Sequence, residues 1–221
     1  MTTPITIDFV SDVSCPWCAI GLQSLNLALQ RLQGQVPTEL RFQPFELNPQ
    51  MPAEGQEITE HLSQKYGATP EQLAQTRETI RQRGAALGFE FGIGKRDRIY
   101  NTFDAHRLLH WAEREGPPGA QKALKMALFT AYFTHGLDPS SHVVLLDLVA
   151  QVGLDVQRAR SILQGDTFAA EVREQEAFYT GSGIHSVPAV ILNGRHLISG
   201  GQAPEVYEQA LRQLADAQAC A

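Results

Sequence analysis

The feature that most constrains this chain is Ser14-Cys15-Pro16-Trp17-Cys18, set between a run of β-formers, Ile5 to Val10, and a run whose Leu22, Leu25, Leu29 and Leu32 recur on one helix face. Two of the three cysteines lie there. A thiol that ends a strand and opens a helix meets unpaired backbone N–H groups and the positive end of the helix dipole, which favour a thiolate. Cys15 is therefore the candidate nucleophile. Pro16 suits the first helical position, where its missing N–H costs nothing. Cys18, about one turn on, shares a face with Cys15 and is within reach of a disulfide with it.

Three other readings compete. A structural zinc site needs about four ligands, usually as two such pairs, and the chain has no second pair. A c-type haem attachment needs His after the second Cys, and residue 19 is Ala. Two inert core cysteines are the last alternative, but core thiols rarely fall at a strand-to-helix junction with proline between them. A redox dithiol is the expectation.

After the helix, Glu39 to Leu47 alternates through Leu40, Phe42, Phe45 and Leu47 as a second strand, so the chain opens β-α-β. Asp8, on the first strand, reads either as a buried carboxylate able to take a proton from Cys18 or, at least as well, as a solvent-facing strand residue. Pro44, Pro49 and Pro52, with Asn48 and Gly55, mark a boundary. From Glu57 to about Gly165 helices are expected over 58–66, 70–87, 101–115, 119–135, 142–152 and 155–163, with start signals at Thr69, Ser141 and Asp155. Another helix follows over 168–180. Asn193-Gly194 between two apolar runs is a type I′ hairpin signal, and 203–217 forms a last amphipathic helix. The close is thus β-β-α.

These ends make an α/β chain with the architecture of the thioredoxin fold (β-α-β … β-β-α) carrying a large all-helical insertion. The expected division is a discontinuous thioredoxin-fold domain over 1–52 and 166–221, with a helical insertion domain over 53–165. The sequence resembles the DsbA-like thioredoxin superfamily, most closely its cytosolic FrnE-like branch. The resemblance is carried by Ser11-Asp-Val-Ser-Cys-Pro-Trp-Cys18, Pro44-Phe-Glu-Leu-Asn-Pro49, Asn101-Thr-Phe-Asp-Ala-His-Arg-Leu108 and Gly183-Ile-His-Ser-Val-Pro188 with its hairpin.

What the resemblance implies is a thiol-disulfide oxidoreductase, a disulfide oxidase or isomerase with Cys15 as nucleophile and Cys18 as the resolving, buried thiol. It implies a cis Pro188 facing the dithiol, and a Val187 backbone that pairs with an extended thiol substrate lying across Cys15, beside Pro16 and Trp17. Asn101 and His106 would line the cleft, against an equal reading as cap and core residues. His185 would touch substrate, although a solvated loop histidine is the better reading. No bound cofactor is implied beyond the redox-active disulfide, with glutathione as a candidate co-substrate. The implied partners are thiol and disulfide substrates, protein or small molecule, and the implied state is monomer or homodimer.

Two rival functions remain open. Kappa-class glutathione transferases and 2-hydroxychromene-2-carboxylate isomerases share the cleft but usually carry Ser at the place of Cys15 and lack the second Cys, so both thiols favour redox chemistry. A non-catalytic polypeptide-binding protein would keep its activity with both thiols replaced.

Composition excludes some partners. The net charge of −6 and the dispersed Lys and Arg argue against nucleic acid and against a polybasic membrane patch. No apolar run approaches membrane-spanning length, and Met1 to Asp8 lacks the cationic start and apolar stretch of a signal peptide, so the cytoplasm is the expected compartment. In that reducing setting a cycling bridge is favoured over a persistent one. His106 and His110 are four apart, but the Glu of H-E-x-x-H and a third ligand are missing, so no metal is expected. Gly92-Ile-Gly94-Lys95 lacks the rest of a phosphate loop and reads as a turn. Cys220, in a small polar tail, is by default an incidental thiol, with regulatory or intermolecular pairing as its alternative.

Overall fold

Alternation of Ile5, Ile7 and Phe9, followed by Val10, gives a strand, β1 (Ile5–Ser11), with one face fully buried and the other half-buried at Thr6 and Asp8 and buried from Val10 on. It runs through a short turn into helix α1 (Pro16–Arg31) and returns as β2 (Thr38–Pro44). The computed structural model describes residues 3–219; Cys220 lies outside the described residues. The helical segment comprises β3 (Gln56–Glu57), α2 (Ile58–Tyr66), α3 (Pro70–Ala86), β4 (Arg98–Ile99), α4 (Phe103–Glu115), α5 (Ala120–Phe129), α6 (His142–Gln151) and α7 (Val156–Gln164). Helix α8 (Ala169–Gly181), strands β5 (Ala189–Leu192) and β6 (His196–Ser199), and helix α9 (Pro204–Ala219) complete it.

The main sheet has the order β2-β1-β5-β6, with β1 parallel to β2 and antiparallel to β5. The β5-β6 hairpin turns on Asn193 and Gly194, both at positive φ (51° and 65°), the type I′ geometry their sequence asks for. Asn193 also accepts a 3.0 Å hydrogen bond from the Thr6 N–H, tying the turn to β1.

Two large cores and a smaller one, around Val10, Phe45, Tyr179, Ile184 and Ala189, hold the chain among the described residues. In the first, Ile7 and Phe9 of β1, Leu22 and Leu25 of α1, Val190 of β5 and Tyr207 and Leu211 of α9 pack with Phe89, Phe129, Tyr132 and Phe133 from the helical segment. The second joins Leu108, Leu124, Leu145 and Ile162 of α4 to α7, with Val13 from the turn before Cys15 among them. Each such fully buried side chain contributes about 1.5–3 kcal/mol, so the helices are fastened to the sheet by the same term that holds the sheet together.

Local signals are met where they are strongest. Thr69 and Gln72 form a reciprocal capping box on α3, and Asp155 accepts from the N–H groups of Gln157 and Arg158 at the start of α7. Differences appear where distant groups decide. Strand β2 ends at Pro44, not Leu47: proline has no N–H for the ladder, and the Leu47 N–H goes instead to the Asp12 carboxylate at 2.7 Å. The 119–135 helix divides into α5 and a π-helical turn, Thr130–Thr134, which seats the buried Tyr132 and Phe133. Within the segment expected to be all helical, Gln56 pairs with Ile99 and Glu57 with Arg98 in a two-residue ribbon too short to leave a periodic pattern.

Candidate active site

Cys15 is the N-cap of α1, extended at φ −91° and ψ 114°, and Pro16 is the first helical residue. The Cys15 N–H donates to the Asp12 carbonyl (3.3 Å), and its own carbonyl accepts from the Cys18 and Ala19 N–H groups (3.1 and 3.4 Å). Both thiols are reduced; Cys18 is fully buried and Cys15 is 4% exposed. Burial, reinforced by Cys15, pushes the Cys18 thiol well up from its ordinary value, while the Lys125 charge pulls it down in part.

The far end of the chain closes over this turn. The Cys15 thiol donates to the Val187 carbonyl at 3.5 Å, and the Val187–Pro188 peptide is cis. Pro188 is buried against α1 at Gly21, where an added Cβ would stand 3.0 Å from the proline Cγ. The Pro188 carbonyl accepts from the Gly200 N–H (2.8 Å), and a Cβ on Gly201 would stand 2.9 Å from the Trp17 carbonyl oxygen. The glycine pair after β6 is what allows that approach. Half-buried Trp17 carries the Arg83 guanidinium 5.2 Å over its ring, and Arg83 donates to the Gly201 carbonyl at 2.6 Å, so α3 forms one wall.

Behind the turn lies Asp12, 1% exposed. Its carboxylate accepts from the Ser14 N–H (2.9 Å), the Leu47 N–H (2.7 Å) and the Thr102 hydroxyl (2.9 Å). Burial pushes its carboxyl up, but His106 and the Ser14 and Leu47 N–H groups together outweigh burial and hold it below the usual range. His106 is itself buried, with Nε2 3.8 Å from Asp12 Oδ1, beyond hydrogen-bond length.

The structure thus brings Cys15, Cys18, Pro16, Trp17, Val187 and Pro188 together. His106 lies behind the dithiol turn in the interior. Asn101 caps α4 by accepting from the Phe103 N–H (2.9 Å) and His185 is exposed on its loop. Asp8 is half-buried and accepts from Gln43 Nε2 at 2.7 Å. Asp12 and Lys125 were not singled out by sequence reasoning. Asp-x-Ser just before a helix is an Asx-turn signal that could have marked the first. Lys125 falls four residues from both Gln121 and Phe129, on the buried face of α5, which a helical wheel could have flagged.

A four-stranded thioredoxin-type sheet with a Cys-x-x-Cys at the first strand-to-helix turn and a cis proline facing it defines the class. The chain belongs to the DSBA-like thioredoxin domain family, which it matches over residues 6–212. The family is one of thiol oxidoreductases and isomerases. Among solved structures, the chain is similar to a probable DsbA oxidoreductase from Streptomyces coelicolor, at 31% identity and TM-score 0.87 over 95% of this chain and 89% of that one. It shares its fold with a 2-hydroxychromene-2-carboxylate isomerase (16% identity, TM-score 0.73, 97% and 98% covered). The cytosolic disulfide reductase DsbM of Pseudomonas aeruginosa with glutathione also shares it (20%, 0.65, 95% and 98%). No curated protein matches the sequence. Among the described residues, no helix is long and apolar enough to cross a membrane, and no cluster of three His, Cys, Asp or Glu could hold a metal ion.

Proposed function

We propose that the chain is a thiol-disulfide oxidoreductase that cycles a Cys15–Cys18 disulfide. The observation that carries this reading is the Cys15 thiol at a helix N-terminus, 3.5 Å from the Val187 carbonyl, with Cys18 buried one turn behind it. In the oxidising direction a substrate thiolate attacks Cys15 Sγ. A substrate–Cys15 bond forms, the Cys15–Cys18 bond breaks, and Cys18 leaves with the electron pair and takes up a proton. A second substrate thiolate attacks the substrate sulfur and displaces Cys15, giving substrate disulfide and protein dithiol. The reverse sequence reduces a substrate disulfide.

The Val187 backbone and the faces of Pro16, Trp17 and Pro188 bind the substrate. Glutathione serves as a co-substrate, no bound cofactor takes part, and the cytoplasm is the working compartment. The likeness to the Streptomyces protein, described as a probable DsbA oxidoreductase, supports this reading. The isomerase-type alternative uses the same cleft for glutathione but has no role for a second thiol at position 18.

The test is equilibration in graded glutathione buffers, with mass spectrometry after alkylation of free thiols. A reversible Cys15–Cys18 bond near about −120 to −200 mV supports an oxidase or isomerase, and one near about −270 mV a reductase. If only a Cys15–glutathione adduct forms, the dithiol reading fails and the glutathione-binding reading replaces it.

A further inference from the structure

Lys125 is the only lysine among the fully buried side chains of largest volume, and among the described residues its Nζ has no hydrogen-bond partner. A buried ammonium without a partner costs several kcal/mol, and buried polar groups left unpaired in native proteins call for a reason. Among the described residues no carboxylate is within ion-pair distance of it; its Nζ lies 5.0 Å from the centre of the Phe129 ring, inside the core that also contains Cys15 and Cys18.

Lys125 and His106 line the same cavity of about 10 Å³, on the scale of what a single water needs. His106, Nε2 also unpartnered among the described residues, stands beside Asp12, whose carboxylate holds the backbone leading into Cys15. His110 and Gln175, whose side chains are 3.3 Å apart, line it too. Lys125 thus stands in the core of the dithiol and at the wall of a small cavity whose other polar lining is Gln43, His106, His110 and Gln175.

We propose that Lys125 is the proton-exchange partner of Cys18, giving up a proton as Cys18 is released from the disulfide and recovering it when the disulfide re-forms. The proposal rests on the dithiol reading above. In the oxidising step the Cys15–Cys18 bond breaks and Cys18 leaves as a thiolate. The Lys125 ammonium then gives it a proton, leaving a neutral amine and a neutral thiol inside the protein. In the reverse step the amine takes the Cys18 proton, the thiolate attacks Cys15 of the mixed disulfide, and the substrate thiolate departs. Burial pulls the Lys125 ammonium down to about 8, while Cys18 is pushed well up, so the transfer to the departing thiolate runs downhill.

Among the described residues, the titratable groups that act on Lys125 by charge are Cys18 of α1, Cys15 at its N-cap and Asp12 of the preceding turn, and those that share its cavity are His106 and His110 of α4; β2 contributes Phe42, Gln43 and Pro44 to that cavity, none of which titrates. Its charge-removing variant Lys125→Met keeps an unbranched chain of similar volume and takes away a buried charge, so folding is not threatened.

The experiment is stopped-flow reduction of the disulfide form, wild type and Lys125→Met, by an aromatic thiol that is fully ionised across the pH range, with Cys18 release read by alkylation and mass spectrometry. Expected is a wild-type rate that falls as pH rises, with its midpoint below the value of about 8 that holds when both thiols are present, and a variant slowed by roughly 10²-fold with a flat profile. A variant at the wild-type rate, or a wild-type profile flat through that range whatever the variant does, would overturn the assignment. A wild type that never releases Cys18 from a disulfide would instead take down the dithiol reading itself, and this assignment with it.

Discussion

Thr102 donates a 2.9 Å hydrogen bond to Asp12, from the threshold of α4 to the turn that precedes Cys15, across a separation of 90 residues. With the Ser14 and Leu47 N–H groups it completes the coordination of a carboxylate that is 1% exposed. The dithiol turn is therefore held in place partly by the helical segment.

Removing that acceptor leaves two buried donors and one part-buried donor unpaired. Asp12→Ala is expected to lower stability by about 3–5 kcal/mol, and Asp12→Asn by less. The folded carboxyl titrates below its unfolded counterpart, so its stabilisation is complete above about pH 3.9 and is lost as pH falls through the folded value. Urea denaturation from pH 6 downward should show a steeper acid loss in the wild type than in Asp12→Asn; parallel curves would contradict the assignment.

Cys18→Ala should leave Cys15 able to accept a substrate sulfur but unable to release it. A glutathione or peptide adduct on Cys15 is expected to accumulate, seen as the added mass of one substrate, while Cys15→Ser forms none. Equal adducts in the two variants would place the nucleophile elsewhere.

Lys125 also makes a stability signature in the disulfide form, where the Cys18 anion is absent. Burial brings its folded value to about 8 with both thiols present, and lower still without them, below the unfolded value of about 10.4, so above the folded value the unfolded chain holds the extra proton and stability rises with pH. Relative to Lys125→Met, the oxidised wild type should gain about 1.4 kcal/mol per pH unit between these limits. Equilibrium unfolding of both proteins across that range checks the slope; a constant difference would mean that Lys125 does not titrate there.

At Gly201 a methyl group would meet the Trp17 carbonyl oxygen at 2.9 Å, a backbone atom that cannot swing aside as a side chain could. Gly201→Ala should cost about 1–3 kcal/mol and slow thiol exchange by displacing the first turn of α1, with the Trp17 emission shifting. Gly181→Ala, in α8 with nothing within 4 Å among the described residues, is the control and should be neutral or stabilising by up to about 1 kcal/mol. Thermal melts and exchange rates of the pair separate a local clash from a general loss of glycine.

What the sequence determined by itself is what neighbours along the chain decide. The Cys-Pro-Trp-Cys turn between strand and helix, the Thr69 and Asp155 caps, the Asn193-Gly194 hairpin and the helical periodicity of the middle segment all depend on contacts within a few residues. The order of those elements was enough to indicate the thioredoxin architecture. Only the tertiary structure decided what stands behind the dithiol. Asp12 finds Leu47 and Thr102, β2 stops short at Pro44, Gln56 pairs with Ile99, and Lys125 comes to lie in the same core as Cys18 because packing brings distant segments to one place. Burial then changes the chemistry: a lysine that titrates near 10.4 in water is brought to about 8 in the core, and no local pattern records the desolvation that moves it.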